Sequence, residues 1–150
     1  MEKMLLFAEE SNRIEGIHDP LSMSIMAARL AEIIDKPVLT LNDVTGFAKM
    51  CGGKLRDKAG MDVRVGLHKP IPGGSEVKEK LEHMIAFTDE TGADPYQYHC
   101  EFETLHPFTD GNGRTGRMIW AWMMVDKYDY GFELLFLHKF YYQTLAHYRI

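Results

Sequence analysis

Apolar residues recur at helical spacing through most of the chain. In Met1–Glu15 they are Met4, Leu5, Ala8 and Ile14, with Gly16 as the expected stop. Asp19 and Pro20 form a cap and first-turn pair for a second helix, Leu21–Asp35. Its buried side reads Met23, Met26, Ala27, Leu30, Ile33 and Ile34, and Pro37 ends it. Asn42 is expected to cap a third helix, Asp43–Cys51, with Val44, Phe47 and Ala48 on one face. Ser75 is expected to cap a fourth that runs to about Glu90, with Val77, Leu81, Met84, Ile85 and Phe87 opposite a charged face. Asp94-Pro95 opens a helix carrying Tyr98, Phe102 and Leu105. Helical pattern resumes from Asn112 or Gly113 to about Lys127, and two shorter stretches follow at Phe132–Leu137 and Phe140–Tyr148.

One segment breaks the period. Met61, Val63, Val65 and Leu67 alternate with Asp62, Arg64, Gly66 and His68, which predicts a short strand, and Pro70, Pro72, Gly73 and Gly74 form a turn-rich exit. The bland alternative is a connecting loop. The expected fold is therefore all-α: a domain of six to eight helices with one small β-hairpin, and residues 1–150 are read as one domain.

Composition narrows the function little. The net charge of −5 gives no general affinity for nucleic acid, so paired arginines in this acidic chain argue for a discrete anion pocket. The two cysteines, Cys51 and Cys100, have no metal-type spacing. With no signal-peptide pattern and no apolar run long enough to cross a bilayer, a cytoplasmic setting without membrane partners is expected. Trp120, Trp122, Phe136 and Tyr141 are counted as aromatic surface that would permit a homo-oligomer.

The densest chemistry lies in His106-Pro107-Phe108-Thr109-Asp110-Gly111-Asn112-Gly113-Arg114-Thr115-Gly116-Arg117, followed by the apolar run from Met118 to Trp122. Gly111 and Gly113 permit positive φ, and Asn112 tolerates it, so the loop can aim successive N–H groups at one point. A helix start behind the loop adds the positive end of its dipole. Arg114 and Arg117, three apart, project from one helix face. The residues read as a polyphosphate cradle with a candidate base, His106, at its mouth. Phe108 reads as a core anchor. Asp110 is either a helix N-cap or a Mg²⁺ ligand.

This block resembles the signature of the Fic family, His-x-Phe-x-Asp/Glu-Gly-Asn-Gly-Arg-x-x-Arg, with every fixed position filled. The similarity extends into Tyr98–Leu105, which resembles the family's helix ahead of the motif. The resemblance implies transfer of AMP from ATP to a Tyr, Ser or Thr hydroxyl of a target protein. His106 would be the catalytic base. Gly111, Asn112, Gly113, Arg114 and Arg117 would hold the nucleotide's phosphates, and Asp110 would hold Mg²⁺ as the cofactor. The segment 61–74 would be a flap whose exposed edge positions the target through Val65, Leu67 and His68. Doc-type relatives, which transfer phosphate, replace the Gly-Asn-Gly-Arg core that is kept here. The motif touches phosphates alone, so UMP or another nucleotide stays open.

A second stretch, Ser11-Asn12-Arg13-Ile14-Glu15-Gly16, resembles the family's inhibitory pattern Ser/Thr-x-x-x-Glu-Gly/Asn. That implies self-inhibition through Glu15 paired with Arg117, with Ser11 on the same helix face. The alternatives are an ATP-binding regulator without transferase activity, which would not need His106, and an enzyme that removes AMP from a target. A DNA-binding module is disfavoured by the charge and by a chain that ends at Ile150. A toxin with a separate antitoxin is disfavoured because the candidate brake is in the same chain.

Overall fold

The structure, a computed structural model, describes residues 2–88 and 94–128, the last two by backbone alone. Among these, six helices occur: α1 (Glu2–Ile14), α2 (Pro20–Ile33), α3 (Leu41–Met50), α4 (Ser75–Ala86), α5 (Pro95–Leu105) and α6 (Asn112–Tyr128). The expected all-α class holds. The stretches Phe132–Leu137 and Phe140–Tyr148, with Phe136 and Tyr141, lie outside the described residues.

From Met118 to Val125 α6 is apolar on all sides because it runs through the middle of the molecule, touching α1, α3 and α5. From Arg114 through Met124 every residue is buried. Trp122 is fully buried, and its indole N–H donates to the Lys36 carbonyl at 3.0 Å. Trp120 stacks on Phe7 with ring centroids 6.4 Å apart. The two tryptophans are thus core residues, not the self-association surface expected of them: a helix packed by neighbours on three sides has no outer face to offer.

The helix faces read from the sequence are largely the buried ones, except that Phe87, just past the end of α4, is exposed. Val44, Phe47 and Ala48 of α3 and Val77, Leu81 and Ile85 of α4 all point inward. Asp19 caps α2 with Pro20 as its first residue, and Asp94 with Pro95 does the same for α5. Two other caps differ from expectation. α3 starts at Thr40, not Asn42: the Thr40 hydroxyl accepts the Asp43 N–H at 3.1 Å and the Asp43 carboxylate accepts the Thr40 N–H at 3.0 Å. Such a reciprocal box needs a carboxylate three residues on, which Thr40 has and Asn42 lacks. α4 is preceded by Gly74 (φ 155°), whose N–H donates to the Arg56 carbonyl, so Ser75 is the first helical residue rather than its cap.

The strand predicted over 61–67 does not form, and no strand occurs among the described residues. Val65 and His68 exchange a single pair of backbone hydrogen bonds, both 2.9 Å, around Gly66 (φ 58°) and Leu67. Met61, Val63 and Val65 are half-buried while Asp62 and Arg64 are exposed, so the alternation is real. It records an extended chain leaning on one surface, without a partner strand to build a ladder. The hairpin is reduced to a tight turn with Leu67 fully exposed at its tip.

Thr40→Ala should lower stability by about 1 kcal/mol, the usual worth of a side-chain cap, whereas Asn42→Ala should change it by less than about 0.5 kcal/mol. Thermal melts of the two variants check this, and equal losses would refute the assigned start of α3.

Candidate active site

Pro107 closes the right-handed α region to the residue before it, so α5 must stop at His106. There the chain turns left-handed, with φ 51° and ψ 61°. His106 is the only non-glycine with positive φ among the described residues, a conformation that costs roughly 1–2 kcal/mol. The loop then runs along the segment after α3. Arg56 N–H donates to the Pro107 carbonyl and Thr109 N–H to the Lys54 carbonyl, both at 2.9 Å. Phe108 is buried against Phe102, ring centroids 6.4 Å apart, and serves as the expected anchor.

Asn112 closes the loop on itself. Its side-chain oxygen accepts the Phe108 N–H at 2.9 Å, and its amide nitrogen donates to the Phe108 carbonyl at 2.7 Å. The Asn112 side chain therefore braces the loop, with its oxygen and its nitrogen both bonded to Phe108. Gly111 (φ 73°) is pressed so close to Cys51 that a Cβ there would lie 2.6 Å from the cysteine Cβ. The carboxylate of Asp110 accepts the Gly111 N–H at 2.7 Å and is otherwise largely exposed.

The two motif arginines are held differently. Arg114 donates to the Cys51 carbonyl at 3.2 Å and lies 3.9 Å from Asp110, while its buried Nε has no hydrogen-bond partner among the described residues. It lines a small cavity of about 160 Å³ with Cys51, Met50, Ser22 and Ile25. Arg117 is fully buried. Its Nε donates to the Ser11 hydroxyl at 2.8 Å, and one terminal nitrogen donates both to the Ser11 carbonyl at 2.9 Å and to the Glu15 carboxylate at 2.9 Å.

Glu15 owes its position to the end of α1. Gly16 is left-handed (φ 72°), its N–H donates to the Arg13 carbonyl, and Ile17 N–H reaches back to Asn12, the paired bonds of a Schellman stop. Glu15 is thus the last residue before the reversal, and its carboxylate lies directly over Gly113. A side chain at that glycine would collide with it and come within 3.0 Å of the Arg117 guanidinium. The bare glycine leaves room for one anion between the start of α6 and Arg117, and a carboxylate fills it.

The residues fit a phosphate ligand on three counts: an unpartnered buried Arg114 Nε, a cradle that a Cβ would fill, and an anion already seated there. They also fit a Mg²⁺ ion carried by that ligand. No group of three or more potential ligands for a metal occurs among the described residues, but Mg²⁺ is commonly held by one or two carboxylates with phosphate oxygens and water. Asp110 can supply the one. Of the flap residues, His68 Nε2 donates to the Thr104 carbonyl at 2.9 Å, two residues before His106, and Leu67 projects into solvent.

Arg56 escaped the sequence reading. It is fully buried, and its guanidinium donates to the carbonyls of His106, Met61, Ile71 and Leu105 at 2.7, 3.0, 3.0 and 3.1 Å. Burial lowers its pKa from the ordinary value, with the charge of Asp62 acting the other way. A lone arginine in a Gly-rich connection carries no periodic signal, and its partners are backbone groups that no residue letter marks.

A sequence model described as the Fic/DOC family matches residues 20–124 of this chain. The matched span leaves out α1, with Ser11 and Glu15. The chain is 28% identical over 123 residues to the protein adenylyltransferase Fic of Drosophila virilis, covering 74% of this chain and 24% of that protein. It is 29% identical over 123 residues to the protein of the same name from Drosophila mojavensis, covering 74% of this chain and 23% of the relative. The chain therefore spans about a quarter of the length of these relatives.

Cys51, whose Cβ backs Gly111, gives a check on this packing. Burial raises its thiol from the usual 9.0 to about 11, against the opposing charge of Arg114. The stability that comes from keeping the thiol protonated is complete below pH 9.0 and is lost as pH rises through about 11. At pH ~8 iodoacetamide should label Cys51 far more slowly in the folded than in the unfolded protein. Equal rates, read by peptide mass spectrometry, would mean that the loop does not rest on this residue.

Proposed function

The chain belongs to the Fic/DOC family, and on that basis we propose that it transfers AMP from ATP to a Tyr, Ser or Thr hydroxyl of a target protein and is restrained by its own Glu15. The observation that carries this reading is the anion already in place, the Glu15 carboxylate lying over Gly113 and bonded to Arg117. A terminal phosphate needs the same room and the same guanidinium.

His106 takes the proton from the target hydroxyl as that oxygen attacks the α-phosphorus. The bond from the α-phosphorus to its bridging oxygen breaks, and pyrophosphate leaves. Backbone N–H groups of Asn112 and Gly113, with the rest of the first turn of α6, bear on the charge of the group in transfer and need little reorganisation to do so, while the Gly111 N–H stays with the Asp110 carboxylate. Asn112 acts through its backbone N–H and through the loop shape its side chain maintains. Arg114 meets the β-phosphate with the Nε that has no partner here, and Arg117 meets the γ-phosphate once Glu15 has moved away. Asp110 would hold the Mg²⁺ that accompanies ATP, and the ion would supply positive charge against that of the phosphates. Leu67 at the exposed tip, with Val65 and His68, meets an extended segment of the target beside His106.

Restraint by Glu15 has an electrostatic logic. A buried guanidinium must be paired, and the Glu15 carboxylate already supplies the charge that ATP's last phosphate would otherwise bring. Glu15 itself is partly exposed, so its carboxylate can be withdrawn to water without a buried charge of its own being stranded.

Mass spectrometry of protein incubated with Mg²⁺-ATP tests the reading, comparing wild type, Glu15→Gly and Glu15→Gly/His106→Ala. A mass increase of one AMP should appear on Glu15→Gly, with or without added cell lysate, and should vanish in the double variant. Equal label on wild type and Glu15→Gly would remove the restraint and keep the transfer. ATP binding with no label in any mixture would favour an ATP-binding regulator instead.

A further inference from the structure

We propose that Arg56 is a positioning residue that couples the flap segment to His106, so that a target chain settling on the flap also sets the base. This rests on the reading of His106 as the base. The argument begins with what the guanidinium binds. Its Nη1 donates to the carbonyls of Met61 and Ile71, the two ends of the flap, at 3.0 Å each. Its Nε donates to the His106 carbonyl at 2.7 Å and its Nη2 to the Leu105 carbonyl at 3.1 Å. Four of a guanidinium's five N–H donors thus tie two stretches of chain that do not otherwise adjoin in sequence.

The backbone of the same residue repeats the pattern. Arg56 N–H donates to the Pro107 carbonyl, and the Arg56 carbonyl accepts the N–H of Gly74, where the chain leaves the flap for α4. Among the described residues no carboxylate is hydrogen-bonded to the guanidinium, and the negative counterparts are carbonyl dipoles, two of them at the C-terminal end of α5. The fork is needed because the acceptors lie in different directions. An ammonium group is a point charge with donors on one atom and cannot span them.

The consequence falls on a backbone in need of support. His106 is the left-handed residue that ends α5, and the orientation of its ring depends on that turn being kept. The flap contributes few tertiary hydrogen bonds of its own, among them the His68 contact with Thr104 and the closure of Asp62 on the Gly73 N–H at 2.9 Å. A rigid fork seated between the two makes a displacement of the flap ends a displacement of the His106 carbonyl.

The experiment measures amide hydrogen exchange by mass spectrometry in the Glu15→Gly protein and in Arg56→Lys and Asp62→Ala made on it, together with ATP affinity and the AMP-labelling rate. Arg56→Lys should raise exchange in 57–74 and 105–109 together while α2 and α3 stay protected. Labelling should then fall by about 10²-fold, as for a misplaced catalytic group, with ATP affinity held within about threefold. Asp62→Ala, an exposed change that opens the flap from its far side, should loosen 105–109 as well as 57–74. If 105–109 keeps its protection in Asp62→Ala, the coupling is wrong. If Arg56→Lys loosens every helix alike or does not fold, the Asp62→Ala result decides by the same criterion. Exchange needs no turnover, so a clamp seen by exchange in a protein that never labels would leave the coupling standing and overturn the transferase reading.

Discussion

A cation with no water around it must find its counter-charge inside the protein, and Arg117 is such a cation. It sits in the middle of α6, the helix on which the core is built, and is fully buried. Leaving it unpaired would cost several kcal/mol. Ser11 and Glu15 meet it, and both belong to the end of α1. The position of α1 on the bundle and the state of the candidate site are therefore one problem. Whatever draws Glu15 from Arg117 must put another anion in its place or take Arg117 elsewhere.

Around that pairing the loop is built to hold its shape without a ligand. Asn112 fixes Phe108 from within the loop, and the pair of backbone bonds from Lys54 and Arg56 fixes it from outside. Gly111 is pushed into contact with Cys51. An electrostatic site gains most when its dipoles are set beforehand, because nothing then has to be reoriented during reaction. The Arg114 Nε, the largely exposed Asp110 carboxylate and the first-turn N–H groups of α6 are the groups that the proposed function assigns to a phosphate chain and its cation.

Legibility in the sequence followed the range of the interaction. The apolar faces of α2, α3 and α4 were readable because burial of one side of a helix leaves a repeat in the letters themselves. Asp19-Pro20 and Asp94-Pro95 were readable because a cap acts within three residues. Thr40 was missed for Asn42 since both are cap residues, and only the partner at position 43 distinguishes them. The alternation at 61–67 predicts a strand that does not form: a strand is defined by a partner, and alternation says nothing about one. Trp120 and Trp122 read as surface from the sequence because aromatic residues look alike to a pattern until the packing around α6 is known.

By itself the sequence determined the helical class, the position of the loop from His106 to Arg117, and the chemistry its residues carry. These are properties of near neighbours, set by φ restrictions at Gly and Pro and by spacing on a helix. The Glu15–Arg117 pairing was implied by the family resemblance, but tertiary structure alone decided that the Glu15 carboxylate also fills the space over Gly113, that Asn112 turns its side chain inward, and that Arg56 holds the His106 carbonyl to the flap ends. The physical reason is common to all three. A buried donor or charge takes its partner from whatever the fold brings near, and that choice is made by packing, not by the order of residues.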